Sequence, residues 1–376
     1  MEQLEEFLAK IRERASAYIG YPASMDFDYT ELYPLLRYNL NNVGDPFVES
    51  HFAMHTKSFE REVVQFFAEL FHAPQKDWWG YVTAGGSESN LYGLYLAREM
   101  FPHGMVYYSE ATHYSVQKNL HLLGMQSIVI RTTKSGEMDC DDFRETIQSH
   151  RHQPVIIMAN IGTTMTEAKD DVVLIKDMLK KYAIKHYYIH CDAALAGPYL
   201  ALLDKGHFDF RYGADSIAVS GHKFIGAPNP CGVVLVKKSN RDRISHAVSY
   251  IGSMDTTITG SRNAVTPVFI WYALKKLGRE GLLRKAMESM ELAAYAVDQL
   301  NRIGIRAWKN EWALTVVFPQ ASEEIRYKWQ LASDGDWSHL ICMPGVTRAQ
   351  IDLFVADMKQ EANAGRVGSL DRVYLS

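Results

Sequence analysis

Between about residues 79 and 236, short apolar runs rich in β-branched and aromatic residues alternate with helical patterns. WGYVTAG (79–85) reads as a strand, and SESNLYGLYLAREM (87–100) after it as a helix. MVYYS (105–109) gives the next strand and HYSVQKNLHLLG (113–124) the next helix. QSIVIRT, PVIIMAN, HYYIHCD, DSIAVS and CGVVLVK are further predicted strands. Several are apolar on both faces, as strands buried in a parallel sheet are. Alternating elements of this kind imply an α/β layer with right-handed crossovers.

The pattern changes after Thr266-Pro267. One long helix is predicted from about Val268 to Leu300. Short strands follow around Ile305–Trp308, Ala313–Phe318 and Ser338–Met343, then a helix near Arg348–Glu361. This reads as a second, smaller α/β unit. The expected division is an N-terminal segment (1–50), a large α/β domain (51–265) and a small C-terminal domain (266–376) that ends in a weakly ordered polar tail.

Composition adds mainly exclusions. Lys+Arg number 40 against Asp+Glu 44, with no basic stripe, so neither nucleic acid nor an anionic membrane surface is an expected partner. No apolar run is long enough to span a bilayer. The first twenty residues read as a charged amphipathic helix, without the apolar stretch of a signal peptide. Cys140, Cys191, Cys231 and Cys342 are scattered and form no C-x-x-C pair, which points to free thiols in a reducing cytoplasm.

Open α/β sheets bind ligands at the carboxyl ends of their strands, and four unusual polar clusters fall there. Thr83-Ala84-Gly85-Gly86-Ser87-Glu88-Ser89-Asn90 joins a strand to a helix, where free N–H groups favour an anion and Ser87 can cap. A plain capped βα turn would use the same residues. Gly85-x-Ser87-x-Ser89 lacks the last Gly of a hydrolase nucleophile elbow.

Asp192 closes the apolar strand HYYIHCD; a carboxylate there needs a cation, such as a protonated pyridine nitrogen, or simply caps the next turn. His186 and His190 lie four apart on that strand, about 13 Å, so they cannot share an ion and no metal site is expected. Lys223, in Ser220-Gly221-His222-Lys223, sits at a strand end before apolar Phe-Ile-Gly; there its amine would lose charge and suit imine formation with an aldehyde cofactor. His113, between a strand and a helix, could stack on an aromatic ring or bond within its own turn.

Nine segments in one order carry a resemblance: GYP (20–22), LNNVGDPF (40–47), SFE (58–60), TAGGSESN (83–90), THYSV (112–116), NIGTT (160–164), HCDAAL (190–195), VSGHKFIGAPNPCG (219–232) and TITGSRN (257–263). Together they resemble the group II pyridoxal-phosphate-dependent decarboxylases of fold type I, the aspartate-aminotransferase-like fold, from about Gly20 to Gln360. Within that family the likeness is greatest to bacterial histidine decarboxylases of the pyridoxal-phosphate type, with plant serine decarboxylase not far behind.

The resemblance implies pyridoxal 5'-phosphate held as a Schiff base on Lys223, with Asp192 at the pyridine nitrogen. It implies His113 on one ring face, touching the substrate, and Ala194 on the other. Gly86, Ser87 and Ser220 would hold the phosphate, and Thr163 and His222 complete the wall. It further implies a homodimer with interfacial active sites, the segment 250–263 and the Tyr21-Pro22 stretch lining the partner's pocket, with Tyr21 near the substrate.

The expected reaction is decarboxylation of a free L-amino acid, histidine first and serine next. Tyr250, His113 and Lys223 all stand as proton donors to Cα. An aminotransferase would need an arginine clamp, for which Arg306, Arg326 and Arg348 lack a recognisable context. A non-catalytic dimeric relative would not require Lys223, Asp192 and His113 together.

Overall fold

A computed structural model gives the architecture and describes residues 1–244, 246–248 and 253–364. The polar tail and Tyr250 lie outside the described residues. The chain divides into two compact units: Met25–Thr164 with Ala168–Leu283, and Met1–Ser24 with Met165–Glu167 and the chain from Arg284 on.

The larger unit runs through α2 (Lys57–Leu70), β1 (Trp79–Thr83), α3 (Gly86–Met100), β2 (Met105–Ser109), α4 (Ser115–Leu123), β3 (Ser127–Ile130) and α5 (Cys140–Ser149). It continues with β4 (Val155–Asn160), α6 (Val172–Lys181), β5 (Tyr187–Asp192), α7 (Gly197–Leu202), β6 (Ser216–Ser220), β7 (Gly232–Val236) and α8 (Lys238–Arg241). A two-stranded ribbon, β8 (His246–Val248) and β9 (Ser253–Asp255), precedes the long helix α9 (Val265–Arg302).

Strands β1 to β7 form one sheet in the order β1-β7-β6-β5-β4-β2-β3. Only β7 runs against its neighbours, pairing antiparallel with β1 and β6. The sheet is therefore mostly parallel, as the two-faced apolar strands predict, and β4, β6 and β7 are buried along their whole length. Ser109, Asn160, Asp192 and Ser220 close β2, β4, β5 and β6 at one edge. The helix α3 packs on β5, β6 and β7. Gly93 allows that approach, since a side-chain carbon there would lie 2.2 Å from the Nδ1 of His190.

The smaller unit holds α1 (Glu2–Ala15), the end of α9, β10 (Thr315–Pro319), α10 (Glu323–Trp329), β11 (Ala332–Asp334), β12 (Trp337–Ile341) and α11 (Arg348–Asn363). Its antiparallel sheet has the order β10-β12-β11. Phe318, Trp329, Leu340, Ile351, Phe354 and Met358 form its core with Ala293, Ala296 and Leu300 of α9. A capping box of Thr347 and Gln350 starts α11.

Two expectations need correction here. The long helix is broken at Gly278, whose φ of 60° and ψ of −177° leave the helical region. Ile305–Trp308 is not a strand: only Trp308 bridges to Val317. Among the described residues no helix is long and apolar enough to cross a membrane.

Candidate active site

The turn after β1 makes the first wall. The helix α3 begins at Gly86 with Gly85 as its N-cap, and no side chain caps it. Ser87 is therefore not the cap expected from the sequence; it lies inside the first turn, exposed, with its hydroxyl directed to no cap partner. Glu88 reaches back to accept from the Ala84 N–H at 2.7 Å and the Tyr81 hydroxyl at 2.9 Å, which fixes the turn. Open space surrounds the Cβ position of Gly85, whereas a Cβ on Gly86 would stand 2.6 Å from Ser220 Oγ and 3.8 Å from Ala194 Cβ. Gly86, Ser220 and Ala194 thus meet at one spot, and a small anion fits over uncapped N–H groups there.

Asp192, at the end of β5, is 8% exposed. Its Oδ1 accepts from the Ala194 N–H at 3.2 Å and its Oδ2 from Asn90 Nδ2 at 2.7 Å. Asn90 Oδ1 lies 3.0 Å from His190 Nε2, and His190 Nδ1 lies 2.6 Å from Ser216 Oγ. Burial pushes the His190 imidazole down to about 4, against the opposing pull of Asp192, so it is neutral at neutral pH. From the sequence His190 suggests only a metal ligand, and Asn90 carries no role of its own. Two signals could have found them: His190 and Asp192 share a strand face at spacing two, and Asn90 stands one helical turn beyond Gly86.

His113 sits between β2 and α4, half-buried, its Nδ1 2.8 Å from Ser115 Oγ. Burial lowers its pKa; Asp192 pulls it up, and Lys223 and Lys118 push it down. Asp192 closes β5, His113 follows β2 and Lys223 follows β6, so all three stand at the carboxyl-terminal edge of the sheet. The turn that carries His113 is anchored from below: Asn160 Nδ2 donates to Ser109 Oγ at 3.1 Å, Thr112 Oγ1 at 3.0 Å and buried Asp170 at 3.0 Å.

Lys223 is half-buried in the turn after β6, which Gly226 N–H closes onto the Lys223 carbonyl at 3.1 Å. Buried Tyr29 donates its hydroxyl to the Gly226 carbonyl at 3.0 Å and so braces that turn. His222 Nδ1 lies 2.9 Å from the Cys231 carbonyl, and burial lowers its pKa. Thr163 is buried, and its hydroxyl accepts from the Ala168 N–H at 3.0 Å. Tyr21 belongs to the other unit and is 49% exposed.

These residues fit a phosphorylated aromatic aldehyde: an uncapped helix start for the phosphate, a buried carboxylate for a ring cation, and an amine at a strand end. The comparisons agree. Residues 42–317 match the pyridoxal-dependent decarboxylase conserved domain. The histidine decarboxylase of Mesorhizobium japonicum is 46% identical over 94% of this chain and 96% of its own. That of Morganella morganii is 44% identical over 96% of this chain and 97% of its own. Among solved structures, L-methionine decarboxylase from Streptomyces sp. 590 superposes with a TM-score of 0.88 at 25% identity, covering 95% of this chain and 93% of that one. With the fold, the residues at the sheet edge and the match over most of its length in agreement, the chain belongs to the pyridoxal-dependent decarboxylase family, with pyridoxal 5'-phosphate as its cofactor.

Proposed function

We propose that this chain removes the α-carboxylate of free L-histidine as carbon dioxide and releases histamine. The observation that carries the reading is the placement of His113, Asp192 and Lys223 at the ends of β2, β5 and β6 on one edge of the sheet, in a chain 46% identical to a histidine decarboxylase. When bound, the cofactor supplies an aldehyde for amines and a ring that takes up the electron pair of the broken Cα–carboxylate bond.

In this reading Lys223 would hold the cofactor through its amine, and its Nζ, when free, would move a proton. Asp192 keeps a fixed negative charge where the ring nitrogen is protonated. Gly86, Ser87 and Ser220 bind the phosphate, and Thr163 and His222 close the wall beside them. Ala194 would cover one ring face and His113 the other. A neutral His113 covers a cationic ring without repelling it, which its lowered pKa supports. Side chains that held the Cα–carboxylate bond perpendicular to the ring plane would select decarboxylation over loss of the Cα proton. Tyr250, His113 and Lys223 are the groups proposed for protonating Cα, with Tyr21 beside the substrate.

The same reading makes the protein a cytoplasmic homodimer with interfacial sites, the segment 250–263 and Tyr21-Pro22 facing the partner. In support, α1 has no buried residue and leaves Leu4, Phe7, Leu8 and Ile11 exposed, and the four cysteines are free thiols. The proposed domain limits remain 1–50, 51–265 and 266–376.

Carbon dioxide release from each L-amino acid tests the substrate. Histidine is expected to turn over far faster than serine or methionine; release from one of those, with none from histidine, would overturn the assignment.

A further inference from the structure

We propose that Asn90 and His190 are positioning residues that hold the Asp192 carboxylate in the single orientation from which it serves a cationic ring nitrogen. The proposal rests on the reading of Asp192 given above. Asn90, His190 and Ser216 are 2%, 0% and 0% exposed, so water does not replace any link.

The polarity of the line follows from its ends. A carboxylate only accepts, so Asn90 must turn its NH₂ to Asp192 Oδ2, at 2.7 Å. That leaves Asn90 Oδ1 against His190 Nε2, at 3.0 Å, which must then carry the hydrogen. His190 Nδ1 is left to accept from Ser216 Oγ, at 2.6 Å. An amide flip would set oxygen against carboxylate, and its NH₂ would meet the imidazole only after a change of tautomer and a turn of the Ser216 hydroxyl. The carboxylate therefore sets the amide's direction, and His190 with Ser216 holds the amide in place.

The choice of a neutral donor matters. A lysine or arginine in place of Asn90 would orient Asp192 equally well, but its charge would cancel the carboxylate's pull on the ring nitrogen. Asn90 orients without cancelling. Gly93 completes the arrangement, because any side chain there would displace the imidazole.

The test uses the apoprotein and two ligands: pyridoxal phosphate and its 1-deaza analogue, in which a C–H replaces the ring nitrogen. Binding is titrated for Asn90→Ala, His190→Leu, His190→Gln and Ser216→Ala, with Asp192→Ala as the reference and an unfolding curve for each. Asn90→Ala and His190→Leu are expected to weaken pyridoxal phosphate by roughly ten- to a hundred-fold, as lost supporting hydrogen bonds do, and to leave the analogue unchanged. His190→Gln keeps an N–H for Asn90 and should recover most of the affinity. Ser216→Ala, the mildest change, should give a smaller loss of the same selective kind. Equal losses for both ligands in these variants, with Asp192→Ala still selective, would overturn the positioning role alone. Loss of selectivity in Asp192→Ala itself would overturn the reading of Asp192, and this proposal with it.

Discussion

A side-chain carbon on Gly86 would stand 2.6 Å from the hydroxyl of Ser220, so the start of α3 and the end of β6 meet with room for a hydrogen and little more. The two residues come from segments more than a hundred positions apart, and their contact shapes the place proposed for the cofactor phosphate. Gly86→Ala is expected to weaken cofactor binding by roughly tenfold or more, consistent with a 1–3 kcal/mol cost of overpacking. Adding Ser220→Gly should recover part of the loss by relieving the clash. Titration of the apoprotein with pyridoxal phosphate measures both, and unchanged affinity in Gly86→Ala would remove the contact from the account.

Glu60 and Arg262 form a buried ion pair whose carboxylate also accepts from the Val82 N–H and from Asn42. Three of the segments that carry the family likeness, LNNVGDPF, SFE and TITGSRN, meet in this one cluster. Glu60→Gln leaves Arg262 without its paired carboxylate and removes one of the three carboxylates, with Asp45 and Glu49, that act on nearby Lys57. It is expected to cost about 3–5 kcal/mol, the usual price of breaking a buried pair. Denaturant unfolding of the apoprotein checks this; a loss below about 1 kcal/mol would show the pair to be well solvated.

Acid stability should report two buried groups of opposite sign. Burial pushes His190 from 6.5 down to about 4 and Asp170 from 3.8 up to about 6. His190 binds its proton more tightly when unfolded, so stability is lost as pH falls from about 6.5 toward 4, by about 2 kcal/mol at pH 5. Asp170 binds its proton more tightly when folded, so stability is gained as pH falls from about 6 toward 3.8, by about 1 kcal/mol at pH 5. Asp170→Asn should therefore lose more stability than the parent between pH 7.5 and 5, whereas His190→Gln, left with Asp170 alone, should gain stability. Unfolding curves at the two pH values measure the slopes, and identical slopes in all three proteins would contradict the assignment.

Much of the larger unit was legible because its strands are short, apolar on both faces and separated by helical periods. Asp192 and Lys223 were legible for a related reason: a charged group that ends an apolar run stands out. Asn90 was not, because its partner lies 102 positions away in β5 and its place one helical turn beyond Gly86 does not by itself name that partner. The break at Gly278 was missed since isolated glycines, here Gly278 and Gly281, are usually tolerated inside a helical pattern. Short elements such as β11 and α10 escaped because three to seven residues carry too few periods to register. Ile305–Trp308 alternates as a strand should, yet it makes a single bridge, so pattern alone overstated its pairing.

The central claim is that the amine of Lys223 holds the cofactor. Borohydride reduction of the holoenzyme converts the amine–aldehyde link into a stable bond, and peptide mapping then identifies the lysine that carries it. The account expects the label on the peptide containing Lys223 and on no other. A label on a different lysine, with Lys223 unmodified, would contradict it.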